Sequence, residues 1–262
     1  MTISLDKALE QFDRVEANLT KAERIWERLL KLVPDGIAID ASSVYWTDLY
    51  GGTVMKIGRD GGSPTTLASG QNYPERVAVD GTSVYWTNLY GDSVMKVAIG
   101  GGAPIVLASG QHHPEDVAVD ATGVYWGVSA TGSVVRLAPG SQTPTTLASG
   151  KGYPSAIAVD GKNVYWTNPV IPTGNATVMK VAVKGGVPTV LASGQDEPLA
   201  IAVDAASVYW TDQHAGTVMR VGIDGGTPVT LASGQVGPLG IVVDATSVYW
   251  ANGSTIMKLT PK

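Results

Sequence analysis

Few side chains in this sequence could hold a metal, move a proton or attack a substrate, and most of them recur at a fixed interval. The densest group is His112-His113 followed at once by Glu115-Asp116. Imidazole beside carboxylate suits zinc or another transition metal, but adjacent histidines tend to point apart, so no metal or cofactor is expected here. The third histidine, His214, lies more than two repeat units further along. A Ser/His/Asp triad needs its histidine beside the serine, which this separation does not offer. The chain also lacks cysteine, which excludes disulfides, thiolate metal sites and a cysteine nucleophile. No catalytic residue is therefore assigned.

A second set of residues suits recognition better than catalysis. Tyr50, Tyr73, Tyr90 and Tyr153 are interleaved with Glu75, Glu115, Asp116, Asp196 and Glu197, together with the three histidines. Carboxylates steer cations during encounter, and tyrosine offers rigid contact area with a hydrogen-bonding tip. These twelve residues are the expected ligand-binding set, for a basic peptide or a protein patch, with a glycan as runner-up.

The elements that must carry these residues follow from repetition. Tyr-Trp pairs stand at Tyr45-Trp46, Tyr85-Trp86, Tyr125-Trp126, Tyr165-Trp166, Tyr209-Trp210 and Tyr249-Trp250, forty residues apart except for one interval of forty-four. Each unit but the sixth, which ends after three, holds four short runs rich in Val, Ile, Thr, Tyr and Trp, separated by Gly, Asp, Ser and Pro clusters, which is strand and turn chemistry. In the second unit the strands are expected at 77–80, 84–87, 93–97 and 104–108. The second run, Val-Tyr-Trp-Thr, has no apolar and polar alternation, so both of its faces must be covered. A ring of stacked four-stranded sheets does this, and the expectation is an all-β, six-bladed β-propeller over 34–262. Small Ala38, Ala78, Ala118, Ala158 and Ala202 suit the crowded axis. A linear β-solenoid is the alternative.

Tyr45-Trp46-Thr47-Asp48 and Tyr209-Trp210-Thr211-Asp212 spell YWTD, and YWTN stands at Tyr85 to Asn88 and Tyr165 to Asn168. The region from Pro34 onward resembles the YWTD six-bladed propellers of the LDL-receptor family and, more loosely, NHL and TolB-like propellers. Members of that family mostly bind proteins, while related six-bladed rings include hydrolases. The resemblance thus implies fold more than function. Departures occur at Gly127-Val128 and Ala251-Asn252, and cysteine-rich flanking modules are absent. In six-bladed hydrolases, acids near the start of the first strand hold calcium in the axial channel. Glu75 and Glu115 match that place, but Ser155, Leu199 and Leu239 do not. The closeness of the repeats suggests recent amplification or consensus design.

Alternating strand direction sends the second-to-third and fourth-to-first connections to one side of the disc, here termed the upper face. Lower-face turns scarcely change, and Asp40, Asp80, Asp120, Asp160, Asp204 and Asp244 recur there, as turn-capping carboxylates. The prolines Pro34, Pro74, Pro114, Pro154, Pro198 and Pro238 open each unit, and the tryptophans are expected to pack between blades. Variation concentrates on the upper face, whose segments carry Asp35, Asp48, Glu75, Asp92, Glu115, Asp116, Asp196, Glu197 and Asp212 against Arg76 and Lys151.

Residues 1–33 differ in kind. Leu5, Ala8, Phe12, Val15, Leu19, Ala22, Trp26, Leu29 and Val33 follow heptad spacing, the seam of an amphipathic helix or, with a break near Asn18, a helical hairpin. Leu9, Ile25, Leu30 and Leu32 widen that stripe. The helix is expected to serve as an oligomerisation or adaptor element, and Thr2 to Leu5 to pair with the sixth unit, which lacks a fourth strand. The 262 residues carry 18 basic and 23 acidic side chains, a formal charge of -5. This offers no footprint for nucleic acid. No secretory signal or membrane span is legible, and a cytoplasmic location is expected. The functional expectation is a non-enzymatic recognition module or scaffold working through its upper face. A metal-dependent hydrolase or lyase in the channel, and a designed scaffold without a ligand, are the alternatives.

Overall fold

The computed structural model describes residues 36–169 and 176–262. They form six antiparallel sheets in chain order. Blade 1 consists of β1 (Gly36–Ile39), β2 (Ser43–Asp48), β3 (Thr53–Gly58) and β4 (Thr65–Ala68). Blade 2 follows with β5 (Pro74–Val79), β6 (Ser83–Asn88), β7 (Ser93–Ala98) and β8 (Ile105–Ala108). Blade 3 has β9 (Pro114–Asp120), β10 (Gly123–Val128), β11 (Ser133–Leu137) and β12 (Thr145–Ala148). Blade 4 has β13 (Ile157–Val159), β14 (Asn163–Asn168), β15 (Ala176–Ala182) and β16 (Thr189–Gln195). Blade 5 has β17 (Pro198–Val203), β18 (Ser207–Asp212), β19 (Thr217–Gly222) and β20 (Val229–Ala232). Blade 6 has three described strands, β21 (Pro238–Val243), β22 (Val248–Asn252) and β23 (Thr255–Leu259). The expected helix, and the pairing of Thr2 to Leu5, lie outside the described residues.

In blade 2 the strands sit within a few residues of their expected places, and the largest difference is at the start of the first strand. β5 begins at Pro74 rather than Val77, because Pro74 pairs with Asn88 and Val77 with Trp86, leaving one extra residue in a bulge. The threonine of each Tyr-Trp-Thr run serves this bulge. Thr87 Oγ1 accepts from Arg76 N at 3.3 Å and donates to Glu115 O of the next blade at 2.7 Å. One hydroxyl therefore satisfies a bulged N–H and a carbonyl across a blade junction, groups that would otherwise be buried and unpaired.

The core is a series of interfaces between sheets. The tyrosine of one blade and the tryptophan of the next share a cluster, as with Tyr45 and Trp86, Tyr85 and Trp126, and Tyr125 and Trp166. Trp46, Trp86, Trp126, Trp166 and Trp210 are fully buried. Burial on both faces is why these strands lack alternation.

The recurring aspartates cap the lower turns. Asp80 Oδ1 accepts from Thr82 N at 2.6 Å and Ser83 N at 2.8 Å, while Oδ2 accepts from Tyr85 Oη at 2.7 Å. Asp40, Asp160, Asp204 and Asp244 repeat the pattern, each with its own tyrosine. Partial burial works against the charged form of Asp40, but the hydrogen bonds from Ser42, Tyr45 and Ser43 outweigh it and bring the carboxyl down to about 2.

Candidate functional site

The upper face is knit from the two kinds of loop expected there. Gln111 N donates to Asp92 O at 2.9 Å and Leu89 N to Tyr73 O at 2.9 Å, joining the β6–β7 connection to its neighbours on either side. Gln71 Oε1 accepts from Trp86 Nε1 at 3.1 Å, which fixes this layer to the core.

On that layer four rings form a continuous ladder across blades 1 to 3. Tyr50 meets Tyr73 at 6.0 Å, Tyr73 meets Tyr90 at 4.6 Å, and Tyr90 meets His113 at 5.5 Å, each edge to face. Tyr50 is 80% and Tyr90 55% exposed. Asn72 Nδ2 donates to Tyr90 O at 3.1 Å and sets the height of that loop. The adjacent histidines do diverge, since the His113 ring lies on Tyr90 while His112 Nδ1 faces Asp92 Oδ2 at 4.0 Å.

The ladder is held in strained backbone. Tyr73 (φ 58°), His113 (φ 64°) and Glu197 (φ 63°) occupy the left-handed region immediately before a proline, and glycine fills the same place at Gly237 (φ 56°). Asp92 (φ 48°) likewise stands where other blades have Gly52, Gly132 and Gly216, all at φ near 60°. Its Oδ1 accepts from His113 N at 2.9 Å. Left-handed non-glycine residues cost on the order of 1 kcal/mol each, and they gather at sites that use them.

The bulges of β5 and β9 carry acids just after their opening prolines, Glu75 in β5 and Glu115-Asp116 in β9. Glu115 is buried and its Oε1 accepts from Tyr153 Oη at 2.5 Å. Burial, then the bond to Glu115 and its charge, raise the Tyr153 hydroxyl to about 12. Asp116 Oδ2 accepts from Ile157 N of blade 4 at 2.9 Å. Burial pushes the Asp116 carboxyl up, and the Arg76 guanidinium opposes that shift. Glu75 lies near enough to Tyr153 for its charge to be felt there.

A separate pair sits in blade 5. Asp196 and Asp212 each keep one buried carboxylate oxygen without a hydrogen-bond partner. Burial pushes Asp212 up to about 7, and the nearby Asp196 charge adds to this. The structure thus gathers Tyr50, Tyr73, Tyr90 and His113 in one strip and Glu75, Glu115, Asp116 and Tyr153 in a second group. Asp196 pairs with a residue outside the expected set. His214 is exposed on the β18–β19 connection and joins none of these contacts among the described residues. No group of three or more His, Asp or Glu positioned to hold a metal occurs among the described residues. Sequence reasoning passed over Asp92 and Asn72 as positioning residues. The signal for Asp92 was available, as a carboxylate in a column of glycines.

Six stacked sheets with a patterned upper face define the class: a six-bladed β-propeller. Residues 102–137 match the family model described as Strictosidine synthase-like, N-terminal, a stretch that includes His112, His113, Glu115 and Asp116. No curated protein sequence is significantly similar to the chain. Among solved structures it is similar to virginiamycin B lyase from Staphylococcus aureus, with a TM-score of 0.72 and 15% identity over 86% of this chain and 79% of that one. It is also similar to a chain of a nidogen–laminin complex (TM-score 0.55, 19% identity, 86% and 75% covered). A third likeness is to the computationally designed protein Ika8 (TM-score 0.68, 16% identity, 86% and 70% covered). At such identities the likeness is one of fold. Among the described residues no helix is long and apolar enough to cross a membrane.

Proposed function

We propose that the protein is a recognition module whose upper face binds a cationic segment, a basic peptide or a basic patch on another protein. The observation that carries this is the ladder Tyr50, Tyr73, Tyr90 and His113, rings in successive contact of which all but the half-buried Tyr73 are exposed, with Tyr73 and His113 on backbone that glycine would fit with less strain. Ring faces attract Lys and Arg, by about 0.5–1 kcal/mol at exposed sites and more once desolvated. Asp92 supplies charge beside them, against His113 N and the His112 ring. Titrating a library of basic peptides against the parent and a Tyr50→Ala, Tyr90→Ala, Glu115→Ala variant tests the reading. Loss of at least tenfold in affinity is expected. A ligand indifferent to those changes but weakened by Arg59→Ala and Asp60→Ala would place recognition on the lower face instead.

A lyase or hydrolase using the same face is the second reading. It is supported by the lyase among the structural neighbours and by the family match across blade 3, where Glu115, Asp116 and Tyr153 converge.

A further inference from the structure

On the connections leading into blades 2, 3, 5 and 6, the glutamines Gln71, Gln111, Gln195 and Gln235 make the same two bonds. Each Oε1 accepts from the indole Nε1 of the blade that follows, Trp86, Trp126, Trp210 or Trp250, at 2.8–3.1 Å. Each Nε2 donates to the carbonyl of a serine two residues back at 2.9–3.0 Å. Blade 4 departs from this, because Lys151 stands in the column. Its backbone keeps the common place, since Lys151 N donates to Gly132 O at 3.1 Å as Gln71 N does to Gly52 O at 3.0 Å and Gln111 N to Asp92 O at 2.9 Å. What differs at this residue is the side chain.

Two buried groups are then left without a partner. Trp166 is 0% exposed and its Nε1 has no acceptor, while Asn168 is 2% exposed and its Oδ1 has no donor. Asn168 Nδ2 is already engaged, with Thr177 Oγ1 at 3.1 Å and Met179 Sδ at 3.3 Å. In blade 2 the equivalent side chains converge on one amide, as Gln71 Oε1 accepts from both Trp86 Nε1 and Asn88 Nδ2 at 3.1 Å. The unpaired donor and acceptor of blade 4 therefore border the place that a glutamine amide fills elsewhere. Buried polar groups of this kind are costly to leave unmatched. On the upper face beside them, Lys151 and Gly152 are exposed, and no side chain can stand at Gly152 without crowding the site: a Cβ there would lie 3.2 Å from Asn168 Cγ and 3.3 Å from Oδ1.

We infer that this place in blade 4 binds a primary carboxamide, carried by a glutamine side chain of a bound peptide or by a small free amide. The amide oxygen accepts from Trp166 Nε1, and the amide nitrogen donates to Asn168 Oδ1. One planar, neutral group supplies both. A carboxylate has no donor for Asn168 Oδ1 and carries a charge that is costly to bury, and a tertiary amide has no N–H. The site shares the upper face with the aromatic ladder but uses none of its residues, so it stands or falls apart from the cationic ligand.

The seven tryptophans give seven indole N–H signals in 15N-labelled protein, and Trp166→Phe identifies the one concerned. Titration with acetamide is expected to move the Trp166 signal saturably, with acetate and N,N-dimethylacetamide binding at least tenfold more weakly. A blocked peptide with a single glutamine, capped as its methylamide to exclude any other primary amide, separates the sources: binding of both probes assigns a protein side chain, and binding of acetamide alone a free amide. In Lys151→Gln the chain supplies its own amide. There the Trp166 signal should move toward those of Trp86, Trp126, Trp210 and Trp250 and cease to respond to acetamide, while the other indole signals report that the ring is intact. A Trp166 signal in the parent that ignores acetamide, one that follows all three small probes equally, or a Lys151→Gln variant that binds acetamide as the parent does would each overturn the inference.

Discussion

Tyr73 and His113 place aromatic rings on left-handed backbone just before proline, where Gly237 shows that glycine is accommodated. Their side chains are therefore kept at a conformational cost. Tyr73→Gly and His113→Gly are each expected to raise stability by about 0.5–1 kcal/mol, net of the lost ring contact, while weakening the cationic ligand at least tenfold. Thermal melts and titration on the same samples check both halves. Lower stability together with unchanged binding would leave the ladder merely structural. Asp212 makes a second case at this scale. Its carboxyl is raised from 3.8 to about 7, first by burial and then by Asp196. A folded pKa above the unfolded one means that the protonated form is favoured on folding. The contribution is thus present below about pH 4 and lost as pH rises through 7. The equivalent Asn88 donates Nδ2 to Gln71 Oε1 at 3.1 Å and to Ser93 Oγ at 3.2 Å, so Asp212→Asn has partners waiting. It should flatten the stability profile between pH 5 and 8 and add about 1–3 kcal/mol at pH 8. Parallel profiles for parent and variant would contradict this.

Within a blade, the element that matters most for the site is the bulge at the start of the first strand. It shifts Glu75-Arg76 and Glu115-Asp116 out of regular pairing, which is how a bulge redirects side chains. The threonine hydroxyl holds it and ties two blades together. Thr87→Val preserves shape but removes a partner from Arg76 N and Glu115 O, and should cost about 1–3 kcal/mol. Gly127 already lacks this hydroxyl in blade 3, but Thr at that position is expected to destabilise. There the obstacle is specific, because a Cβ on Gly127 would come within 2.6 Å of Pro154 O. Denaturant melts of Thr87→Val set the scale. A loss below a few tenths of a kcal/mol would mean that water replaces the hydroxyl.

For the whole molecule, the two functional readings separate through ion binding. A channel enzyme that takes up calcium or zinc only when folded gains stability by mass action, about 2.7 kcal/mol at a hundredfold excess over Kd. The recognition module is expected to show no shift in Tm with either ion. A rise of several degrees would favour the enzymatic reading and direct attention to Glu75, Glu115 and Asp116. Substituting Glu115→Gln in that event should abolish the shift.

The number of blades, the place of each strand and the burial of the Tyr-Trp pairs were legible because they rest on local chemistry repeated six times: β-branched and aromatic runs, turn aspartates and a fixed interval. The side of the disc that varies was legible too, since alternating strand direction follows from antiparallel pairing alone. Other features needed the fold. The bulge depends on which residue faces Asn88 across the strands, a matter of register. The ladder depends on bringing Tyr50, Tyr90 and His113 together across three blades, although they are up to sixty-three residues apart. The apposition of Asp196 with Asp212 likewise arises only when separate loops stack. Short-range preference determines what each unit becomes, and packing between units decides which of its side chains meet.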